Sequence, residues 1–448
     1  GSQRPDVNWT KRLRVALVND LGYQYGAGLA HMRIAGAFDL AAQEVAAFDL
    51  LASSRPDYSD ILSRIDAFGP DIVVCGNLHG VETTSVQVLD KLTQQYPCYW
   101  LTHDFWLVTG RCPYPGDCGA YLDGGCAASC PSADEYPVIS RESIRPAWQE
   151  KQRFLKQARN MTVLANSDWS QECYREVIER IGSPVTVEPI RLGVPTELFK
   201  PGDKAAEREK LGVQAGSLAL AFSVSSLSDT RKGGGLLMQA IEQLAEYYCI
   251  TLILIGRLDR KIDIPNVELV KLGYVGDVKT LVGAFRAADI YIGPSREETF
   301  GQVFVEAALC GTPAIGFDTS GVRNAIATDT SGVKVTPMTP EALSEAIKGL
   351  YENKARMQRI QTLAPLWARN EHSLEACYRS LFTVLDKQGL VDKLGLPHKI
   401  SFSRSSDLIT FSTKGWVEQS PPEKLNMLLR RTVDRTIGIL PTRFTGKV

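Results

Sequence analysis

Two glutamates, Glu298 and Glu306, stand with seven residues between them in a segment otherwise apolar and punctuated by glycine. An ionised carboxylate only accepts hydrogen bonds, so such a pair suits a ligand that presents hydroxyls at two places. Between them lie Thr299, Phe300 and Gly301, then an apolar pattern at helical spacing from Gln302 to Cys310. A loop running into a helix N-terminus aims backbone N–H groups outward and binds anions. The combination fits a ligand with an anion near its middle, with Glu298 taking sugar hydroxyls and Glu306 ribose hydroxyls. Cations for the anion occur upstream, where Arg231 and Lys232 precede Gly233-Gly234-Gly235 at a predicted helix start, an arrangement suited to a diphosphate. Each feature also has a bland reading, as a solvated loop charge, an exposed helix face or a basic turn. The flanking Pro294-Ser295, Phe300-Gly301 and Cys310-Gly311-Thr312-Pro313 weigh against it.

Other residues could do chemistry in the first half. His103-Asp104 closes the apolar run Tyr99-Trp100-Leu101-Thr102, and the chain has five histidines. Gly26 and Gly28 lie in a glycine-rich turn between a strand and a helix, where backbone can approach a phosphate or sugar. A third glycine of a dinucleotide fingerprint is missing, since His31 follows. Four of the ten cysteines crowd into one stretch, Cys112-x5-Cys118-x7-Cys126-x3-Cys130, interleaved with Gly and Pro that keep it a loop. Four thiolates suit a structural Zn2+, with an iron–sulfur cluster as the alternative and four free thiols as the plain reading. The spacing matches neither standard metal pattern.

Positioning these residues takes repeated strand–helix units. Apolar strand patterns occur at 13–18, 45–48, 72–75, 99–102, 161–165 and 185–190, with helical patterns near 29–44, 58–67, 83–95 and 141–160. Asn166-Ser167-Asp168 supplies N-cap chemistry for a further helix. A second series has strands at 218–224, 250–256, 267–272, 290–293 and after Pro313. The ends of two of these, Gly256-Arg257 and Gly273-Tyr274, are where a nucleotide base would dock. Helices are expected at 277–288, 302–310, 340–351 and 353–383. Alternation of this kind builds doubly wound parallel α/β sheets, which bind ligands at the carboxyl ends of their strands.

The chain has 448 residues, too many for one ordinary core, so two domains are expected. A net charge of −1 gives no global pull toward nucleic acid. No run of about 18 apolar residues occurs, and no basic-then-apolar leader, so a cytoplasmic location is expected. The scattered Cys75, Cys98, Cys173, Cys249, Cys310 and Cys377 read as small core residues.

The segment from Pro294-Ser295 through Glu298, Phe300-Gly301 and Glu306-Ala307 to Cys310-Gly311-Thr312-Pro313 resembles the Glu-x7-Glu motif of the family 4 glycosyltransferases. The resemblance covers roughly residues 12–385. It implies a GT-B fold, two Rossmann-like domains facing across a cleft, and transfer of a sugar from a nucleotide diphosphate sugar with retention of anomeric configuration. It assigns His103 to the donor sugar beside Glu298, and Lys232 to the leaving diphosphate. The glycine-rich loop of Gly26 and Gly28 would lie between donor and acceptor. Where the family usually has an arginine, this chain has Ser226, and Arg231 would substitute. No Asp-x-Asp occurs, so no catalytic metal is expected. The cysteine loop after His-Asp is similar to that of a subset linked to bacterial surface-polysaccharide synthesis, which implies a saccharide or lipid-linked acceptor and a structural staple. Rival readings on the same fold are a sugar-nucleotide 2-epimerase and a non-catalytic nucleotide-binding partner.

The expected organisation is an acceptor-side domain at 1–190 with the cysteine loop at 109–131, and a nucleotide-sugar domain at 191–365. A helix at 366–385 would cross back to the first domain, and 386–448 would form a basic extension. That extension holds eleven Lys/Arg against six Asp/Glu. Ser420-Pro421-Pro422-Glu423 reads as a helix start, followed by an apolar stripe of Leu425, Leu428, Leu429, Val433 and Ile437. The stripe would dock on the protein or lie on an anionic membrane surface.

Overall fold

The structure, a computed structural model, describes residues 11–23, 26–79, 85–275 and 277–402. The amphipathic stripe expected at 420–438 lies outside the described residues. No helix among the described residues is long and apolar enough to cross a membrane.

The chain divides into two compact units. One holds residues 1–165, 171–189 and 382–448, and the other 166–170 and 190–381. In the first, β1 (Arg14–Asn19), α1 (Gly26–Leu40), β2 (Glu44–Asp49), α2 (Ser59–Phe68), β3 (Ile72–Cys75) and α3 (Ser85–Gln95) alternate. Then come β4 (Cys98–Leu101), α4 (Arg141–Gln157), β5 (Met161–Ala165), α5 (Asp168–Arg180) and β6 (Thr186–Pro189). The strands are parallel in the order β2-β1-β3-β4-β5-β6. Every residue of β3, β4 and β5 is buried, because helices cover both faces of a parallel sheet. Each fully buried Val, Leu or Ile contributes about 1.5–3 kcal/mol.

The second unit runs α6 (Lys204–Leu211), β7 (Leu218–Ser226), α7 (Gly234–Ala245), β8 (Ile250–Arg257), β9 (Val267–Gly273) and α8 (Val278–Ala287). It continues with β10 (Ile290–Gly293), α9 (Gln302–Leu309), β11 (Ala314–Phe317), α10 (Val322–Ala325), β12 (Gly332–Val335), α11 (Pro340–Glu352) and α12 (Lys354–His372). Its parallel order, β12-β11-β10-β7-β8-β9, is the dinucleotide-fold order, reversing between β7 and β10. The first sheet reverses between β1 and β3, the flavodoxin-like variant of the same rule. The chain returns to the first unit within α13 (Leu374–Lys387) and ends its described part after α14 (Leu390–Leu394).

Two element boundaries differ from the pattern. The first helix begins at Gly26, not Leu29, and stops at Leu40, because Ala42 takes a left-handed φ of 60° and sends Glu44 into β2. The long helix expected over 353–383 is broken at Ser373, whose extended backbone ends α12. Its Oγ then accepts from Ala376 N at 3.1 Å and caps α13.

Candidate active site

The second unit gathers its charged residues at the point where strand order reverses. Lys232 follows β7, Glu298 follows β10, and these two strands are neighbours. The loop after β7 is fixed by Asp229, whose carboxylate accepts from Arg231 N at 3.0 Å. Arg231 O in turn accepts from Arg296 N at 2.8 Å, which ties the two loops together. Gly233, at φ 72°, makes this approach possible. A Cβ there would lie 2.0 Å from the Pro294 carbonyl oxygen, so only glycine lets the α7 N-terminus sit against the end of β10.

Glu298 is the centre of the cluster. Its Oε1 accepts from Lys232 Nζ and, at 3.0 Å, from Ser295 Oγ. Arg231 Nη1 lies 3.4 Å from Oε2 and donates to Glu297 O at 2.9 Å. The backbone of Glu298 is anchored by Ser320 Oγ, which accepts from its N–H at 2.9 Å, and by Gly321 N, which donates to its carbonyl. Burial alone would raise the carboxyl, but Lys232 and Arg231 reverse this and hold it at about 2. The carboxylate is therefore ionised and engages both cations.

The other donor-side residues fall into different places. Gly301 is the N-cap of α9, with φ 95°, and Glu306 is buried on that helix. Thr299 is buried and its Oγ1 accepts from Asn166 Nδ2 at 3.4 Å. The Phe300 ring is core, 5.0 Å from the His372 ring. Gly256 is the penultimate residue of β8. Ser226 ends β7, and its side chain lies outside the described residues.

The first unit builds a separate polar cluster at the carboxyl ends of β1, β3 and β4. His103 and His31 are both buried, with His103 Nε2 3.3 Å from His31 Nδ1. His31 Nε2 lies 3.0 Å from Val74 O, which only an N–H can satisfy. His31 Nδ1 is thus left to accept from His103. Burial pushes His31 down to about 4 and His103 well below its usual value, so both rings are neutral at pH 7. Gly26 opens α1, and a Cβ on Gly28 would meet Gly22 O at 2.4 Å, so Gly28 serves the close packing of the turn on its helix. Asp104 caps locally, accepting from Trp106 N at 2.8 Å, and its other oxygen takes His79 Nε2 at 2.7 Å.

The cysteine segment is an ordered loop between β4 and α4 with no regular element. All four cysteines are free thiols, and among the described residues no three His, Cys, Asp or Glu side chains gather as a metal site. As placed, Cys112, Cys118, Cys126 and Cys130 do not form the closed tetrahedral set that Zn2+ requires. Two buried basic side chains hold the loop. Arg111 donates to the carbonyls of Pro137, Ser132 and Glu135 at 2.9, 2.6 and 2.6 Å, and its Nη1 lies 3.6 Å from Cys130 Sγ. Lys151 donates to the carbonyls of Trp106 and Gly110 at 2.7 and 3.2 Å and stands 3.9 Å from the centre of a Trp106 ring. Burial lowers Lys151 to about 7, against the pull of Cys112, Cys126 and Asp104.

The pattern reading missed Ser320, Asp229, Arg111, Lys151 and His79, and it had Ser295 only as a flanking residue of the motif, not as a partner of Glu298. His79 alone carried a usable signal, since it follows a strand as His103 does. The others are ordinary residue types whose partners lie far along the chain or whose role is local geometry.

Residues 220–353 match the family described as Glycosyl transferases group 1. D-inositol 3-phosphate glycosyltransferase 1 of Catenulispora acidiphila is 30% identical over 221 residues, which is 44% of this chain and 52% of that relative. The chain thus spans about half the length of the curated relatives it matches. Among solved structures, sucrose-phosphate synthase of Thermosynechococcus elongatus aligns over 85% of this chain and 100% of its own, with a TM-score of 0.63 at 18% identity. Anabaena HepE, solved in complex with UDP-glucose, aligns over 84% and 100%, with a TM-score of 0.58 at 19% identity. At these identities the structural likeness is one of fold. This chain has the GT-B fold of two parallel Rossmann-like sheets, and within it residues 220–353 match the family described as Glycosyl transferases group 1.

Proposed function

We propose that the protein is a retaining glycosyltransferase that moves a sugar from a nucleoside diphosphate sugar to a glycan or lipid-linked saccharide. The observation that carries this reading is the Lys232–Glu298–Arg231 cluster at the strand-order reversal of the second sheet. Two cations and the N-termini of α7 and α9 are suited to a diphosphate, and an ionised carboxylate beside them to sugar hydroxyls. The matched family segment supports the same reading, as do the relatives named as glycosyltransferases and the neighbours solved with UDP and UDP-glucose.

In this reading the diphosphate takes Lys232 and Arg231, and Glu298 turns from them to the donor sugar. Glu306 holds the ribose. The bond from the anomeric carbon to the diphosphate oxygen breaks, and the bond to the acceptor oxygen forms on the same face. The acceptor proton leaves on a diphosphate oxygen, and the nucleoside diphosphate is released. Lys232, Arg231 and the α9 N-terminus stabilise the charge that develops there, a contribution of about 10²–10³-fold for one such donor. His103 is neutral and its one ring proton is turned toward His31, so toward a sugar hydroxyl this ring would act only as an acceptor. Surface-polysaccharide synthesis is the setting that the cysteine loop suggests.

A thermal-shift panel of nucleoside diphosphates, followed by turnover of the matching sugar nucleotides, tests the reading. Turnover should fall in Glu298→Ala and in Lys232→Ala. Unchanged rates in both variants would remove the site.

A further inference from the structure

The cluster at the end of the first sheet contains two polar atoms without a partner among the described residues. His79 and Asn77 lie two residues apart in the segment after β3, beside the reversal point of that sheet. The His79 side chain is 6% exposed and that of Asp104 4%, and the His79 Nε2 to Asp104 Oδ2 distance is 2.7 Å. Among the described residues, His79 Nδ1 and Asn77 Oδ1 are both buried with no hydrogen-bond partner. Leaving such atoms unmet costs stability, so two of them in one three-residue segment call for an explanation. The backbone around them is well held, since Asn77 N donates to Asn19 Oδ1 at 3.1 Å.

The chemistry of the missing partner can be narrowed. The Asp104 carboxylate only accepts, so His79 carries a proton on Nε2. Burial works against a second proton, but Asp104 and Asp20 more than offset it and raise the ring's pKa. Nδ1 is then an acceptor in the neutral ring and a donor in the charged one. On the charged ring Nδ1–H donates to a hydroxyl oxygen, which leaves the hydroxyl's own proton for Asn77 Oδ1; on the neutral ring that proton goes to Nδ1 instead. An anion suits the site poorly, because Asp20 and Asp104 are buried beside it. Aromatic rings complete the surroundings, with Tyr136 edge-on at 5.5 Å and Trp106 at 6.1 Å from the His79 ring.

We propose that His79, held by Asp104, binds a hydroxyl of an uncharged acceptor saccharide, with Asn77 taking the proton of that hydroxyl. This assignment rests on the transferase reading and adds the acceptor's chemistry to it. A trapped water has the same hydrogen-bonding pattern, so the test separates the two occupants.

With the sugar nucleotide selected by the panel above, two rates are read, donor consumption in water alone and the increment on adding methyl hexosides. His79→Gln keeps an amide for Asp104 and loses Nδ1, whereas His79→Asn places an amide where Nδ1 was. In His79→Gln the saccharide-dependent rate should fall about ten- to a hundredfold more than hydrolysis does, through the acceptor KM. His79→Asn should recover part of it, and Asn77→Ala should raise the same KM, which guards against one variant failing to fold. Equal falls in both rates, or no change in the saccharide-dependent rate, would overturn the assignment. So would a wild-type protein that no hexoside stimulates, leaving water as the occupant. A wild-type protein that consumes no sugar nucleotide would instead overturn the transferase reading, and this assignment with it.

Discussion

Replacing Glu298 with glutamine should move two observables in opposite directions. The substitution keeps the size of the side chain and its bond to Ser295, but removes the charge that faces Lys232 and Arg231. A carboxyl held at about 2 instead of 4.5 reflects about 3 kcal/mol of favourable interaction in the folded protein. Because the folded value is depressed, that stability is fully present above pH 4.5 and is lost as pH falls through about 2. At pH 7 the variant should therefore be less stable by up to about 3 kcal/mol. Its affinity for the nucleoside diphosphate should nevertheless rise, because the phosphates no longer compete with a resident carboxylate. If binding normally reverses about half of that interaction, the gain is about tenfold in Kd. Sugar turnover should fall, since the hydroxyl acceptor is gone. Calorimetric titration of wild type and Glu298→Gln with the selected nucleoside diphosphate reads the first effect directly. Weaker or unchanged binding in the variant would refute the idea that Glu298 guards the phosphate site.

Other expectations follow from the same geometry. Gly233→Ala forces a Cβ into the Pro294 carbonyl at a left-handed φ, and should cost about 1–3 kcal/mol in a denaturant titration and weaken nucleotide binding. Arg111→Ala removes a buried staple with three carbonyl acceptors, and should cost about 3 kcal/mol or more and open residues 112–130 to limited proteolysis. Since Arg111 and Lys151 hold the cysteine loop, dialysis against a chelator should leave the Tm unchanged. A fall in Tm would instead identify a bound metal. His31, at about 4 against 6.5 when unperturbed, should destabilise the fold progressively as pH drops from about 6.5 to about 4, and His31→Asn should flatten that part of the pH–Tm profile.

The alternation of buried strands and helices was legible in the chain. Runs such as Ile72-Val73-Val74-Cys75 are buried on both faces, and only a parallel sheet covered by helices does that to so short a segment. The order strand, loop, helix, Gly311, strand from Ile290 to Phe317 matches β10, α9 and β11. The break at Ser373 was hidden because the helical periodicity continues through it, and one side-chain cap decides it. Of the candidate site, the Arg231-Lys232 turn was readable as suited to a diphosphate and Glu298 as suited to sugar hydroxyls. Their ion pair was not, because it depends on β7 and β10 being neighbours across more than sixty residues of chain.

By itself, then, the sequence determined which segments become strands and helices, and which residue types could receive a phosphate or a hydroxyl. Those properties are local, set by periodicity, by glycine and proline, and by side-chain chemistry. Tertiary structure alone decided which of these groups meet. It joined Glu298 to Lys232 and Arg231, made His31 and His103 neutral by burial, drew Arg111 and Lys151 into the cysteine loop, and set Asp104 behind His79. Contact, burial and the resulting charge state depend on strand order and on what packs above each strand end, and neither is written in any short stretch of residues.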